Sequence, residues 1–309
     1  MMAQFPKEQS TDGEFQRQAD AFREVVAPGK EYEPESGRYH LYVSLACPWA
    51  HRTLIVRKLL GLEAAISCSI VDPIRDERGW AFRPPGEADP VNGFSFLAEA
   101  YHASDASFDG RVTVPVLWDR KTSRIVNNSE DDICRMFAEA FRPFHTRDVD
   151  LFPSAHSGRQ EALSSSIYEK VNNGVYLAGF ATSQRAYERA ANRLFEMLDE
   201  LDAILSARRF LITNHPVESD WRAFCTLIRF DPVYHGHFKC NLRRIVDYPN
   251  LSGYLRDLYQ WPGIAETVNL DHIKRHYYVT HDDINPTRIV PIGPETSYLH
   301  GPSGRDRLP

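Results

Sequence analysis

Apolar and polar positions change rhythm partway along this chain. Residues 39–45 (YHLYVSL) alternate and are rich in β-formers, which predicts a strand. Pro48 then suits a first helical turn, and Leu54, Ile55, Leu59 and Leu60 supply an apolar face until Gly61 stops the helix. AISCSIV (65–71) predicts a second strand, so the three pieces form a β-α-β unit with a parallel pair. Residues 72–93, rich in proline and charge, predict an excursion over the surface, followed by a short helix near 94–104. TVPVLWD (113–119) predicts a strand interrupted by Pro115, then a turn at Lys121-Thr122 and a further strand at RIVNN. Pro115 cannot donate to a ladder, so it belongs at a strand end or edge, where either peptide isomer is open. A helix is expected from Ser129 through ICRMFAEAF.

Beyond a linker at 142–158 the strand signal disappears. Helical periodicity takes over at 159–171, 183–206, 219–230, 250–259 and 262–269. The expected organisation is an N-terminal extension (1–37), an α/β domain (38–141), the linker (142–158), an all-helical domain (159–279) and an extended C-terminal arm (280–309). No internal repeat interrupts that order.

Composition narrows the possibilities. The 309 residues are 42% hydrophobic and 12% aromatic, enough for a sizeable core, and the formal net charge of −6 offers no electrostatic footprint for nucleic acid. No apolar run approaches the length of a membrane span, and the polar start MMAQFPKEQSTDGEF lacks the apolar core of a signal peptide, so a cytoplasmic protein is expected. The five cysteines (47, 68, 134, 225 and 240) have no CxxC spacing and read as thiols. Four of them lie in apolar strand or helix contexts or near bland polar ones, where free cysteine is ordinary core material.

Cys47 differs. It closes the first strand and opens the helix of SLACPWAHRTL, and Ala50 stands where a redox partner would be. A helix N-terminus favours the thiolate, the form that reacts as a nucleophile. With no resolving cysteine, a mixed disulfide formed there must be released by an external thiol.

The order of these elements and five stretches coincide with a known family. The stretches are YHLYVSLACPWAHRTLIVRKL, RVTVPVLWD, KVNNGVY, RFDPVYHGHFKCNLRRI and DHIKRHYY. The chain resembles the glutathionyl-hydroquinone reductases, the Xi class of cytosolic glutathione transferases, from about residue 38 to 294. The resemblance implies a thioredoxin-like N-terminal domain, an all-α C-terminal domain and a homodimer. It implies an enzyme whose cysteine attacks the sulfur of a glutathionyl-hydroquinone, releases the quinol, and is regenerated by a second glutathione or a related small thiol. Its partners are thereby small-molecule thiols and quinol conjugates, with no metal, nucleic acid or membrane.

By resemblance Tyr176 supplies the proton to the departing aryl carbon, a general acid–base role. Tyr234 and Tyr277 match tyrosines that line the quinol pocket and hydrogen-bond the thiolate or quinol oxygens. On the thiol side, Trp80 matches a tryptophan covering the bound tripeptide. Val114, before Pro115, matches the residue whose backbone holds the cysteinyl part, with Arg111, Val112 and Thr113 leading into it. Ser129 and Glu130 occupy the place where relatives hold the γ-glutamyl arm with Glu-Ser. Here the pair is reversed and Asp131 and Asp132 follow, so repulsion of the glutathione carboxylate is expected and a sugar-based thiol such as mycothiol becomes the competing cosubstrate. Val217 stands where transferases cap a buried helix with Ser or Thr, leaving Ser219 as the alternative cap.

Three rival readings remain. His235, His237 and Cys240 invite a metal, but their spacing matches no zinc pattern. A glutaredoxin-like or omega-type thiol transferase, or a dehydroascorbate reductase, would need Cys47 but not Tyr176. A non-catalytic interaction module would need neither.

Overall fold

The computed structural model describes residues 8–82 and 88–309. The start of the expected N-terminal extension and residues 83–87 of the proline-rich excursion lie outside the described residues. The chain divides into two compact units, one made of Gln18–Val149 with Thr267–His276, the other of Met1–Arg17, Asp150–Glu266 and Tyr277–Pro309.

The first unit is built on a four-stranded sheet of order β2-β1-β3-β4: β1 (Tyr39–Val43), β2 (Ser67–Ile70), β3 (Val116–Asp119) and β4 (Arg124–Asn127). β1 pairs parallel to β2, with Leu41 opposite Cys68, and antiparallel to β3, with Leu41 opposite Leu117. The parallel pair is joined by α1 (Pro48–Leu59), as the alternating run followed by an N1 proline requires. Leu60 and Gly61 end that helix. Gly61 has φ 66°, and a Cβ there would lie 1.9 Å from Thr146 Oγ1, so both conformation and space demand glycine. α2 (Ala98–Ser104) and α3 (Glu130–Glu139) complete the unit. Tyr39, Leu41, Val43, Ile55, Trp118 and Phe137 are fully buried between sheet and helices. Arg38, also buried, holds Asp119 through two parallel hydrogen bonds of 2.8 Å.

Helix α3 begins where its pattern predicts, with Ser129 at its N-terminal boundary. Ser129 occupies the N-cap position, but its side chain makes no cap bond; instead its N–H donates to Asn127 Oδ1 at 2.7 Å.

The second unit is helical: α4 (Ser157–Ile167), α5 (Gly174–Gly179), α6 (Gln184–Leu205), α7 (Glu218–Arg229), α8 (Leu251–Tyr259) and, from Tyr277 on, the last turn of α9 (Leu270–Thr280). α6 is capped as its sequence suggests, Ser183 Oγ accepting the N–H of Ala186 at 3.2 Å. Val217 is the N-cap of α7 and has no side-chain acceptor. Ser219 does not replace it: its hydroxyl lies 2.9 Å from Ser164 Oγ. The missing cap is offset from the other side, where the fully buried Asp220 accepts the Val217 N–H at 2.9 Å, the Leu211 N–H at 3.0 Å and the Tyr254 hydroxyl at 2.7 Å. Burial pushes that carboxyl up to about 6.

Two π-helical turns, Tyr168–Asn172 and Phe230–Tyr234, follow α4 and α7. Region 262–269 holds only a 3₁₀ turn, Ala265–Thr267, and the helix belonging to DHIKRHYY starts at Leu270. The C-terminal arm is fastened by Arg305, whose guanidinium donates to the carbonyls of Leu205, Arg208, Arg209 and Asn250 around the end of α6. No helix of the described residues is long and apolar enough to cross a membrane.

Candidate active site

Each unit carries one group of the residues singled out by sequence. In the first, Cys47 is the N-cap of α1 and has extended backbone (φ −76°, ψ 122°), with Pro48 at N1. Its carbonyl already accepts the first helical bond, from His51 N–H at 2.9 Å. The thiol is therefore carried at the positive pole of a twelve-residue helix. Its Sγ lies 3.5 Å from the carbonyl oxygen of Val114, and the Val114–Pro115 peptide is cis.

The segment leading to Val114 divides in its behaviour. Thr113 gives its polar atoms to the fold: Tyr101 Oη donates to its carbonyl at 2.9 Å, its N–H donates to Tyr101 Oη at 3.2 Å, and Asn128 Nδ2 donates to its hydroxyl at 3.2 Å. Arg111 is pinned at its backbone by Gln18, whose side chain bonds both its N–H (2.8 Å) and its carbonyl (3.2 Å). Val112 is half-buried. Trp80 is buried, stacked on the His276 ring at 5.0 Å between centroids, with the Arg75 guanidinium 5.7 Å from its ring. His276 is itself fixed, Nδ1 lying 2.7 Å from Pro73 O.

The three acids of α3 are met by two arginines that the sequence pattern does not reveal. Arg52, on α1, is only 2% exposed at its side chain and reaches Asp131 at 2.5 Å and Glu130 at 3.3 Å. Arg23 grips Asp132 with bonds of 2.5 and 2.9 Å. The expectation of a bare negative pole beside Ser129 is thus corrected. Its premise was sequence proximity; the arginines that answer the charge are 78 or more positions away, as the 79-residue separation of Arg52 and Asp131 illustrates.

In the helical unit, Tyr176, Tyr234 and Tyr277 meet. Tyr277 Oη lies 2.5 Å from Tyr176 Oη and 2.9 Å from Tyr234 Oη, so it is the central member of a three-hydroxyl chain. Tyr234 and Tyr277 are almost wholly buried, at 0% and 1% exposure, and burial holds both phenols well above their ordinary range. Both therefore stay protonated at neutral pH, and Tyr176 is the half-buried member. Phe238 packs parallel to Tyr234 at 5.5 Å and edge-on to Tyr176 at 5.4 Å. Gly179 makes room for it: a Cβ there would lie 2.2 Å from the Phe238 ring. Two of the three residues that invite a metal reading are packed against neighbours. His237 stacks on His281, Nε2 to Nδ1 3.2 Å, and the Cys240 thiol faces Phe238 O at 3.8 Å.

The sequence patterns overlooked Arg17, His276 and Phe238, which touch these residues. Phe238 and His276 lie inside the quoted stretches RFDPVYHGHFKCNLRRI and DHIKRHYY but have no role drawn from them, and Arg17 lies outside all five stretches.

The chain matches the profile of the glutathione S-transferase N-terminal domain over residues 46–140 and of the glutathione S-transferase C-terminal domain over 184–257. It is 51% identical over 308 residues to glutathionyl-hydroquinone reductase YqjG of Escherichia coli (strain K12), covering 96% of this chain and 94% of that one. The chain belongs to the glutathionyl-hydroquinone reductases, the Xi class of glutathione transferases. Another relative, glutathionyl-hydroquinone reductase PcpF of Sphingobium chlorophenolicum, is 46% identical over 92% of this chain and 91% of its own. Among solved Xi-class structures, that from Phanerochaete chrysosporium superposes with a TM-score of 0.90 at 47% identity, covering 93% of this chain and 94% of that one. The glutathione-bound structure of YqjG superposes at 0.89 and 50% identity, over 93% and 96% of the two chains. A thioredoxin-like N-terminal domain and a helical C-terminal domain, expected of the Xi class, are both present.

Proposed function

We propose that this Xi-class enzyme removes glutathione from glutathionyl-hydroquinones through a mixed disulfide at Cys47. The observation that carries the reading is the placement of Cys47 as the N-cap of α1, beside the Val114 carbonyl and with Ala50 in place of a resolving cysteine. The helix pole favours negative charge on sulfur and so the nucleophilic thiolate.

In the first step the Cys47 thiolate attacks the glutathionyl sulfur and the sulfur–aryl bond breaks. The pair of electrons leaves with the ring carbon, which takes a proton. Cys47 is oxidised to a disulfide with glutathione and the ring is reduced to the free hydroquinone. A second glutathione, as thiolate, then attacks the glutathione sulfur of that disulfide. Oxidised glutathione leaves and Cys47 returns as thiolate. The first step needs a proton at carbon, and Tyr176 is the assigned donor.

The hydroxyl chain supports that assignment. A phenol donates one hydrogen and accepts at its oxygen. If Tyr234 donates to Tyr277 and Tyr277 to Tyr176, the Tyr176 proton remains available for transfer and its phenolate is met by a donor at 2.5 Å. Trp80, Val114, Ser129 and Glu130 are assigned to the thiol, with Arg111 and Val112 in supporting positions. Thr113 is assigned to holding that segment, since Tyr101 and Asn128 take its polar atoms.

Glutathione is preferred over mycothiol here. The paired acids of α3 remove the electrostatic argument against a γ-glutamyl carboxylate, and the close relatives act on glutathionyl conjugates by name. We further assign a homodimer, as the family resemblance implies, and the cytoplasm, in keeping with five cysteines that show no CxxC spacing. Thiol-dependent release of hydroquinone from its glutathionyl conjugate, compared with turnover of a plain glutathione mixed disulfide, tests the reading. Turnover of the disulfide alone would reassign the enzyme as a general thiol transferase.

A further inference from the structure

The N-terminal arm ends on the tyrosine cluster of its own unit. Residues 8–17 are tied to the α5–α6 connection by Gln9 Nε2 donating to Phe180 O (3.1 Å), Thr182 N–H donating to Gly13 O (3.0 Å), and Ser183 Oγ donating to Asp12 O (2.7 Å). Arg189 holds Glu14 at 2.8 Å and Asp12 at 3.4 Å. Phe15 is 2% exposed and packs on Phe180 at 5.3 Å. At Gly13 φ is +86° and a Cβ would meet Thr182 Oγ1 at 2.8 Å, so the close approach needs glycine.

These anchors deliver Arg17. Its Nε donates to Asn173 Oδ1 at 3.0 Å, and its guanidinium carbon sits 4.8 Å from the centroid of the Tyr176 ring. Arg17 precedes and Asn173 follows from separate parts of the chain, and Asn173 is the N-cap of α5, the helix that carries Tyr176. The cation is therefore held by the side chain of the residue that opens the helix carrying the phenol.

We propose that Arg17 is a positioning residue that makes Tyr176 the most acidic phenol of the cluster, so that the N-terminal arm tunes the proton donor. A cation over the ring face is attracted to the neutral phenol and more strongly to the phenolate. The other groups around Tyr176 act differently. Tyr277 shares a hydrogen bond with it, Tyr234 acts through Tyr277, and Phe180 and Phe238 pack against its ring. Arg229 is buried, donates to Cys225 O at 2.8 Å, and its charge bears on Tyr234 and Tyr277. His281 and His237 pack behind Phe238, and His237 is neutral at physiological pH because burial lowers it to about 4. Arg17 thus brings a charge to Tyr176 through direct ring contact.

The inference rests on Tyr176 being the proton donor only for its kinetic consequence; the shift in ionisation is separate. The test uses full-length protein labelled with 3-fluorotyrosine, with the Tyr176 fluorine resonance assigned from its loss in Tyr176→Phe. Arg17→Met should raise the titration midpoint of that resonance by about half to one pH unit. Arg17→Lys should keep it near wild type, because the charge is retained. The descending alkaline limb of hydroquinone release should move upward with the midpoint in Arg17→Met. An unchanged midpoint in folded Arg17→Met, or an equal shift in Arg17→Lys, overturns the proposal. A shifted midpoint with an unmoved rate profile sustains the action of Arg17 on Tyr176 and refutes Tyr176 as the donor.

Discussion

Replacing Tyr176 by Phe separates proton delivery from sulfur exchange. The substitution removes one hydroxyl from a half-buried ring and leaves its contacts with Phe180, Phe238 and Arg17 in place. Tyr277 loses its 2.5 Å partner and an acceptor for one O–H but keeps its bond with Tyr234 at 2.9 Å, so the stability cost should be about 1–3 kcal/mol. Catalytically the loss should be larger. An aryl thioether needs a proton at carbon as the sulfur leaves, and a positioned acid contributes about 10²–10⁴-fold, or roughly 3–5 kcal/mol of barrier. A mixed disulfide expels a thiolate and needs no such proton. Side-by-side steady-state assays of hydroquinone release and disulfide reduction, with thermal melting as a control for folding, read the difference. We expect at least a hundredfold loss on the first substrate and less than about threefold on the second. Equal losses on both would refute the role and leave Tyr176 as a packing residue.

Three further changes probe the framework. Gly179→Ala places a methyl group 2.2 Å from the Phe238 ring, so we expect a loss of about 1–3 kcal/mol in denaturant unfolding and impaired quinol release as Phe238 moves off the tyrosines. Arg52→Met leaves Glu130 and Asp131 without that cation; unfolding should cost about 2–4 kcal/mol, and Arg52→Met/Glu130→Gln should recover part of it. Acid should weaken the fold: burial lowers His40 and His237 to about 4, so the unfolded chain takes up their protons first. Their contribution is complete above about pH 6.5 and falls as pH drops toward 4, by about 2–3 kcal/mol each, and His40→Gln should flatten that decline in a pH series of unfolding curves.

Much of the thioredoxin-like half could be read from the chain because its signals are local. Alternation at Tyr39–Val43, a proline at N1 of α1 and a glycine stop each act within a few residues. The helical half was harder where elements are short or irregular. α5 has six residues, with glycine at both ends, and follows a π-helical turn, so the register set by α4 is lost before it begins. α9 is rich in His, Tyr and β-branched residues, which have modest helix propensity, and packing of Ile273 and Tyr277 decides for the helix. Glu130, Asp131 and Asp132 stand out in the sequence as adjacent acids, but Arg23 and Arg52, which pair with them, come from distant positions that no local pattern connects. The same distance conceals Arg17 from a reading of KVNNGVY.

In this mechanism the glutathionyl group passes through a disulfide at Cys47. Intact mass spectrometry of enzyme quenched during turnover of a glutathionyl-hydroquinone, with free quinol followed in the same samples, tests it most directly. Wild type should carry one glutathione adduct, mapped to Cys47 and removed by added glutathione, while Cys47→Ser remains folded, unmodified and inactive. Quinol release by Cys47→Ser at a substantial fraction of the wild-type rate, or an adduct on Cys68, Cys134, Cys225 or Cys240 instead, would contradict the mechanism.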